Sequence, residues 1–278
     1  MAEPIRRCRP LLGTFVSIEA CGCDLQDVES AFAHMAYVHD RMSFHTMTSD
    51  LARLRMAAWG TAVSVSQETA IVLRYAAMLY HETGGLFDVT MAPRLIAAGF
   101  LPRPPGIDLR HMTGNGADIE VEGDGAVRCH RPLLVDLGGI AKGYAVDLAI
   151  QSLISAGAIG AIVDAGGDLR AFGQSRLVGI RGGDGSVRQG IEICDMALAT
   201  SANRHTRRRL RGAVATPHLD VHRHSVLAEE SVTIAATNCM TADAFTKIAL
   251  ADRACAIRLL PQHDGQLLEI PTDVMQAA

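Results

Sequence analysis

The sequence predicts an α+β (mixed α/β) fold and not a Rossmann fold, on three observations. Strand-like and helix-like segments mix along the chain without the strict β-α order of a doubly wound sheet. Two double-glycine turns, Gly138-Gly139 and Gly166-Gly167, follow strand-like segments, yet neither completes Gly-x-Gly-x-x-Gly. Hydrophobic content of 49% with 20% charged residues marks a folded chain, and 278 residues are ample for a real core.

Residues 11–20 read as the first strand, polar at Thr14, Ser17 and Glu19. Asp24 can cap a helix with Leu25, Val28, Ala31, Phe32, Met35, Val38 and Met42 on its apolar face. Met42-Ser43-Phe44-His45 leaves that helix for a polar loop, and Ser49 caps a short helix over 50–56. Residues 62–65 form a short strand. Ser66 caps a helix that turns Ile71, Val72, Tyr75 and Leu79 inward and ends at Gly84-Gly85. Another short helix falls near 93–98. Residues 99–117, rich in Pro and Gly, are the best place for a lobe boundary. Residues 118–122 and 126–130 flank Gly123-Asp124-Gly125, a hairpin signal.

Leu133, Leu134 and Val135 read as the end of a short buried strand. Gly138-Gly139 then makes a tight turn, and residues 141–156 carry helical spacing. Such a junction puts bare backbone N–H groups where an anion can sit, with Asp136 and Lys142 supplying one charge of each sign. Alone the motif is weak, because a glycine turn before a helix is more often plain structure. A second, similar turn, Asp164-Ala165-Gly166-Gly167-Asp168, strengthens it. Strands are expected at 161–164, 169–172, 177–181, 191–194 and 232–236, and residues 197–201 precede the basic run. Helices are expected at 239–251 and 252–260, with a kink between them.

A net charge of −4 gives no bulk attraction to nucleic acid. The basic run Arg207-Arg208-Arg209-Leu210-Arg211 reads as a solvated loop, with a phosphate or acidic-partner contact as the minor alternative. Seven scattered cysteines, an odd number with no metal-ligand spacing, read as free thiols in a reducing compartment. No apolar stretch leads to an export cleavage site and no run approaches a membrane span. The expectation is a cytoplasmic protein with neither nucleic acid nor membrane as partner.

Four stretches gather polar residues at turns or helix starts: 85–90, 136–142, 164–168 and 241–247. In the last, Asp243 and Thr246 share a helix face and could both offer oxygens to one hard cation. The plain alternative is a helix-start carboxylate favoured by the helix dipole.

A series of motifs then resembles the ApbE family, the FAD:protein FMN transferases. They are Arg9-Pro10-Leu11-Leu12-Gly13-Thr14, Met42-Ser43-Phe44-His45 with Ser49-Asp50-Leu51, and Gly84-Gly85-Leu86-Phe87-Asp88-Val89-Thr90. Further on come Asp136-Leu137-Gly138-Gly139-Ile140-Ala141-Lys142-Gly143, Ala165-Gly166-Gly167-Asp168, Ala199-Thr200-Ser201 and Ala242-Asp243-Ala244. Each is weak alone; in family order, from about residue 9 to 260, they are specific. The resemblance implies a two-lobed flavin transferase fold, with one catalytic domain over 9–260 and a C-terminal strand and tail over 261–278. It implies that FAD is the substrate, that Mg²⁺ is bound, and that FMN passes to a Thr or Ser hydroxyl of an acceptor protein with release of AMP. By motif match Leu12, His45, Leu86, Phe87, Asp88, Asp136, Lys142 and Leu219 fall at flavin-nucleotide contact positions. The carbonyl of Gly139, Asp243, Thr246 and the position of Lys247 fall at the metal site.

One departure bears on mechanism. The family's His-Ile-Ile-Asp-Pro-x-Thr-Gly-like segment is here Pro217-His218-Leu219-Asp220-Val221-His222-Arg223-His224. Asp220 is retained and the His position is Pro217, which leaves Asp220 and His218 as candidates for the base. A metal held by His218, His222 and His224 is a poor alternative in a loop that contains Arg223. Rival functions are an FAD pyrophosphatase with water as acceptor and a non-catalytic flavin-binding protein.

Overall fold

The computed structural model describes residues 3–123, 125–181, 186–203, 206–210, 212–228 and 231–269. The chain begins with an antiparallel hairpin of β1 (Ile5–Leu11) and β2 (Thr14–Cys21). The strand expected at 11–20 is therefore β2 plus the end of an unforeseen partner. Strand β1 was hidden because Ile5-Arg6-Arg7-Cys8-Arg9-Pro10 shows no alternation. It lies at a sheet edge, where charge and proline are tolerated.

Helix α1 (Leu25–Met42) starts with reciprocal bonds, Asp27 N–H to Asp24 Oδ1 (3.0 Å) and Asp24 N–H to Asp27 Oδ2 (2.8 Å). Helix α2 (Asp50–Met56), strand β3 (Ala62–Ser64) and helix α3 (Gln67–Glu82) follow. Ser49 and Ser66 cap the two helices, accepting from the N–H of Ala52 and Thr69. Next come α4 (Ala92–Ala97), β4 (Ile119–Glu122), β5 (Ala126–Cys129) and α5 (Ala141–Ser155). The strands β6 (Gly160–Ala165), β7 (Asp168–Phe172), β8 (Arg176–Arg181), β9 (Val187–Ile193) and β10 (Met196–Ser201) run in succession. The chain continues through β11 (Arg208–Leu210), β12 (Ala213–Ala215) and β13 (Val232–Ala236). It closes with α6 (Cys239–Ala251), α7 (Arg253–Leu259) and β14 (Gly265–Leu268). Residues 270–278 of the expected tail lie outside the described residues.

The chain divides into two compact units. The first takes residues 1–36, 142–206 and 228–278. Its frame is a seven-stranded sheet in the order β1-β2-β6-β7-β10-β13-β14, antiparallel at every pairing. That is the α+β class expected from the irregular order of elements. In β2 the alternation is clean: Val16, Ile18 and Ala20 are buried while Phe15 is 72% exposed. All five residues of β13 are buried, and α6 packs on β10 and β13.

Helix α5 meets α6 at Gly143, where a Cβ would strike the carbonyl oxygen of Cys239. Helix propensity favours Gly143→Ala by about 1 kcal/mol, whereas forcing backbone apart costs about 3 kcal/mol. The variant should lose about 2 kcal/mol in urea denaturation; a gain would show that the helices separate freely.

The second unit takes residues 37–141 and 207–227. It holds the sheet β3-β5-β4 and the pair β11-β12. Asp50 joins its two capped helices, its Oδ2 accepting from the Ser66 N–H and the Thr69 hydroxyl, both at 2.8 Å. Residues 99–117 lie wholly within this unit. Leu101, Ile107, Leu109 and Met112 pack on Phe44, Ala92 and Leu134, so this Pro- and Gly-rich stretch is an anchored loop rather than the crossing between units. Residues 133–135 are buried but belong to no strand. An apolar run of this length does not by itself distinguish a ladder from a buried extended segment. The basic run is not a plain loop either: β11 pairs with β12, and Arg208 lies 5.0 Å over the Phe100 ring. Arg211 lies outside the described residues.

No helix among the described residues is long and apolar enough to cross a membrane.

Candidate functional site

In the first unit, α5, α6 and β7 bring four charged side chains together. Lys142 in the first turn of α5 bonds Asp168 at the start of β7. Lys247 bonds Oδ1 of Asp243, four residues earlier on α6. The Gly143 N–H donates to Asp243 Oδ2 at 3.1 Å, and Lys142 Nζ stands 4.0 Å from the same oxygen. The carboxylates are the inner layer, at 3% exposure for Asp168 and 0% for Asp243. The lysine side chains are less buried, at 30% exposure for Lys142 and 19% for Lys247.

Burial works against both carboxylates and the result differs. Asp168 is pushed up by its burial and by the charge of Asp243, more than the lysines bring it down. Asp243 is buried too, but Lys142 and Lys247 hold it below the ordinary carboxylate range. Lys142 loses by burial and gains more from Asp243 and Asp168, so its ammonium is held more firmly than usual. Beside this group lie four hydroxyls. Thr246 Oγ1 donates to the Asp243 carbonyl at 2.7 Å and pairs with Ser201 Oγ at 2.8 Å. Thr200 and Thr233 pair at 2.9 Å across β10 and β13.

Asp147 holds this end of α6 in place. It accepts from the Cys239 and Met240 N–H groups at 2.8 Å each and from Arg170 at 2.7 Å. With Asn238 accepting from the Thr241 N–H at 2.8 Å, the first amides of α6 are taken by the protein itself. Sequence reasoning passed over Asp147 and Arg170. The available signal was that Asp147 is the lone charge in an otherwise uncharged helix after Lys142, and a buried carboxylate needs partners.

The two glycine turns differ. Gly166 and Gly167 have φ of 72° and 99°, and a Cβ on Gly166 would strike Thr14, so glycine is required there. The Gly138-Gly139 turn has no positive φ. Gly138 donates to Asp136 Oδ1 at 3.2 Å, and Ile140 and Ala141 donate to the Leu137 carbonyl, so part of the junction's backbone is bonded within the chain.

The second unit carries its own group. Asp88, with a fully buried side chain, accepts from the Thr90 N–H (2.9 Å) and hydroxyl (2.7 Å) and from Arg223 (2.9 Å). Arg223 also donates to the Gly85 carbonyl at 3.3 Å, from a backbone at φ 66°. It thus ties the 217–224 loop to the 85–90 turn, a role the sequence did not reveal. The Asp136 N–H donates to the Val89 carbonyl at 2.8 Å. Burial raises the Asp136 carboxyl, against the Gly138 N–H and the charge of His45. His45 is exposed, with its ring edge-on to Phe44. Phe87 is buried and Leu86 half-buried; Leu219 bridges to Ser225 within the loop. In that loop the His218 carbonyl accepts from the Thr216 hydroxyl and the Val226 N–H. Asp220 accepts from the His224 N–H at 2.8 Å, which keeps its carboxyl low.

Of the expected residues, Lys142, Asp243, Thr246 and Lys247 come together in the first unit. Leu12 also belongs to that unit, at the tip of the β1-β2 turn with φ 56°. His45, Leu86, Phe87, Asp88, Asp136, Gly139, His218, Leu219 and Asp220 belong to the second.

The fold and these groups define an α+β protein with a charge-balanced Lys-Asp network on an antiparallel sheet. The chain belongs to the ApbE family, which it matches over residues 12–268. It is 29% identical over 231 residues to a Vibrio cholerae protein named FAD:protein FMN transferase, covering 74% of this chain and 67% of that one. A Haemophilus influenzae protein of the same name is 29% identical over 156 residues, 50% of this chain and 44% of its own length. The crystal structure of the ApbE protein of Thermotoga maritima superposes with a TM-score of 0.83 at 25% identity, covering 96% of this chain and 94% of that one.

The resemblance also implied Mg²⁺ at Gly139, Asp243, Thr246 and Lys247, and of these Lys247 does not fit it. Mg²⁺ demands oxygen ligands in near-octahedral array. Lys247 has no lone pair to give and sits on Asp243 Oδ1, while the other oxygen takes the Gly143 N–H. The Thr246 hydroxyl is engaged with the Asp243 carbonyl and Ser201.

Proposed function

We propose that the chain is a flavin transferase that takes the FMN portion of FAD and attaches it to a Thr or Ser hydroxyl of an acceptor protein. The observation that carries this reading is the Lys142-Asp168-Asp243-Lys247 network in a chain of the ApbE family. A diphosphate needs positive charge nearby as it breaks, and this network holds two ammoniums.

In the step proposed, the acceptor oxygen attacks the FMN phosphorus and a new P–O bond forms. The bridging P–O bond breaks, and its electron pair leaves with AMP. The hydroxyl proton passes to a base. Of the two candidates His218 is favoured over Asp220, because an imidazole takes a proton near neutral pH and the bond from His224 N–H makes Asp220 a weaker base. Leu12, His45, Leu86, Phe87, Asp136, Lys142 and Leu219 are proposed to line the flavin nucleotide. Asp88 serves by holding Arg223 and its loop. No step is routed through Mg²⁺.

The test is incubation with FAD and a pool of Ser- and Thr-containing acceptor peptides. A fluorescent peptide that survives denaturation, with AMP in equal amount, is the expected result. AMP without labelled peptide would mean that water is the acceptor, and neither product would mean binding alone.

A further inference from the structure

We infer that Lys247, together with Lys142, is the built-in cation of this site, and that the site neither binds nor requires a divalent metal. The inference rests on the flavin-transfer reading for its ligand, the diphosphate, but its geometry stands apart from that reading. Two carboxylates face two ammoniums, so the group is charge-balanced before any ion arrives. A metal at Asp243 must first expel Lys247, which is tethered four residues away on the same helix and cannot diffuse off. The backbone N–H of Gly143 donates to the other carboxylate oxygen, and the Thr246 hydroxyl donates to the Asp243 carbonyl.

The carboxylates are sealed inside at 0–3% exposure, and the lysine side chains that neutralise them are 19% and 30% exposed. A lysine so placed can take phosphate oxygens as a point charge, as lysines do elsewhere.

The decisive experiment titrates Mn²⁺ alone into the wild-type protein, Lys247→Thr and Lys247→Met, following bound Mn²⁺ by electron paramagnetic resonance. The wild type should show no saturable binding up to about 1 mM, and Lys247→Thr, which frees Asp243 Oδ1 and adds a hydroxyl, should bind at least ~tenfold more tightly. Lys247→Met, which keeps the apolar stem, should weaken FAD binding about tenfold by flavin fluorescence. AMP release by the wild type should change less than about twofold when a chelator replaces Mg²⁺. Stoichiometric Mn²⁺ on the wild type that Lys247→Thr does not tighten would overturn the inference, as would a chelator that abolishes AMP release. If no AMP appears under any condition, the flavin-transfer reading fails while the Mn²⁺ titration still decides this one.

Discussion

Asp243→Ala should melt well below the wild type and release no AMP from FAD. Its carboxylate is fully buried and answers two donors, Lys247 and the Gly143 N–H at 3.1 Å, with the Lys142 ammonium 4.0 Å away. Removing one side of a buried pair costs about 3–5 kcal/mol because the charge left behind is uncompensated. Here the cost should fall near the lower end, about 3 kcal/mol, since both lysines are partly exposed and can turn toward water. For a chain of this size that is a fall of roughly 6–12 °C in Tm. Asp243→Asn keeps an acceptor for the Gly143 N–H and should recover most of the stability. It does not restore the charge that holds the two lysines, so AMP release should stay low. Thermal denaturation and AMP release measured on both variants check this. Normal AMP release by the folded Ala variant would reduce Asp243 to a helix-start carboxylate.

Asp147→Ala should be the most damaging change outside the charged network, at about 4 kcal/mol of lost stability in urea denaturation. The three bonds it receives, from Cys239 N–H, Met240 N–H and Arg170, are all charge-assisted, and two lie at a helix N-terminus where a negative charge is favoured. Burial raises this carboxyl, and those same donors pull against it. The Asn variant should lose about half as much, because an amide oxygen still accepts but the charge is gone. A loss below about 1 kcal/mol for Asp147→Ala would show that water replaces the carboxylate at the start of α6.

What could be read from the sequence was local. Ser49 and Ser66 announce their helices because a cap and its helix are neighbours in the chain, and the structure shows both bonds. Helix α6 and strand β13 follow from periodicity and β-branched content in the same way. The helix-face argument brought Asp243 and Thr246 together, and it did not show that the Thr246 hydroxyl donates to the Asp243 carbonyl. What escaped were bonds across long stretches of chain. Asp147 meets Met240 93 residues on, and Arg223 meets Asp88 at a separation of 135. No periodicity encodes such pairs. Strand β1 escaped for a different reason: an exposed edge strand has no buried face to alternate against.

The central claim is that the FMN phosphorus moves to a protein hydroxyl, and following that phosphorus tests it most directly. FAD radiolabelled at the flavin-side phosphate should yield label on a Ser or Thr of the acceptor, in a bond that survives denaturation, and unlabelled AMP in equal amount. Label that remains in FAD, or that appears only as free FMN, would contradict the account.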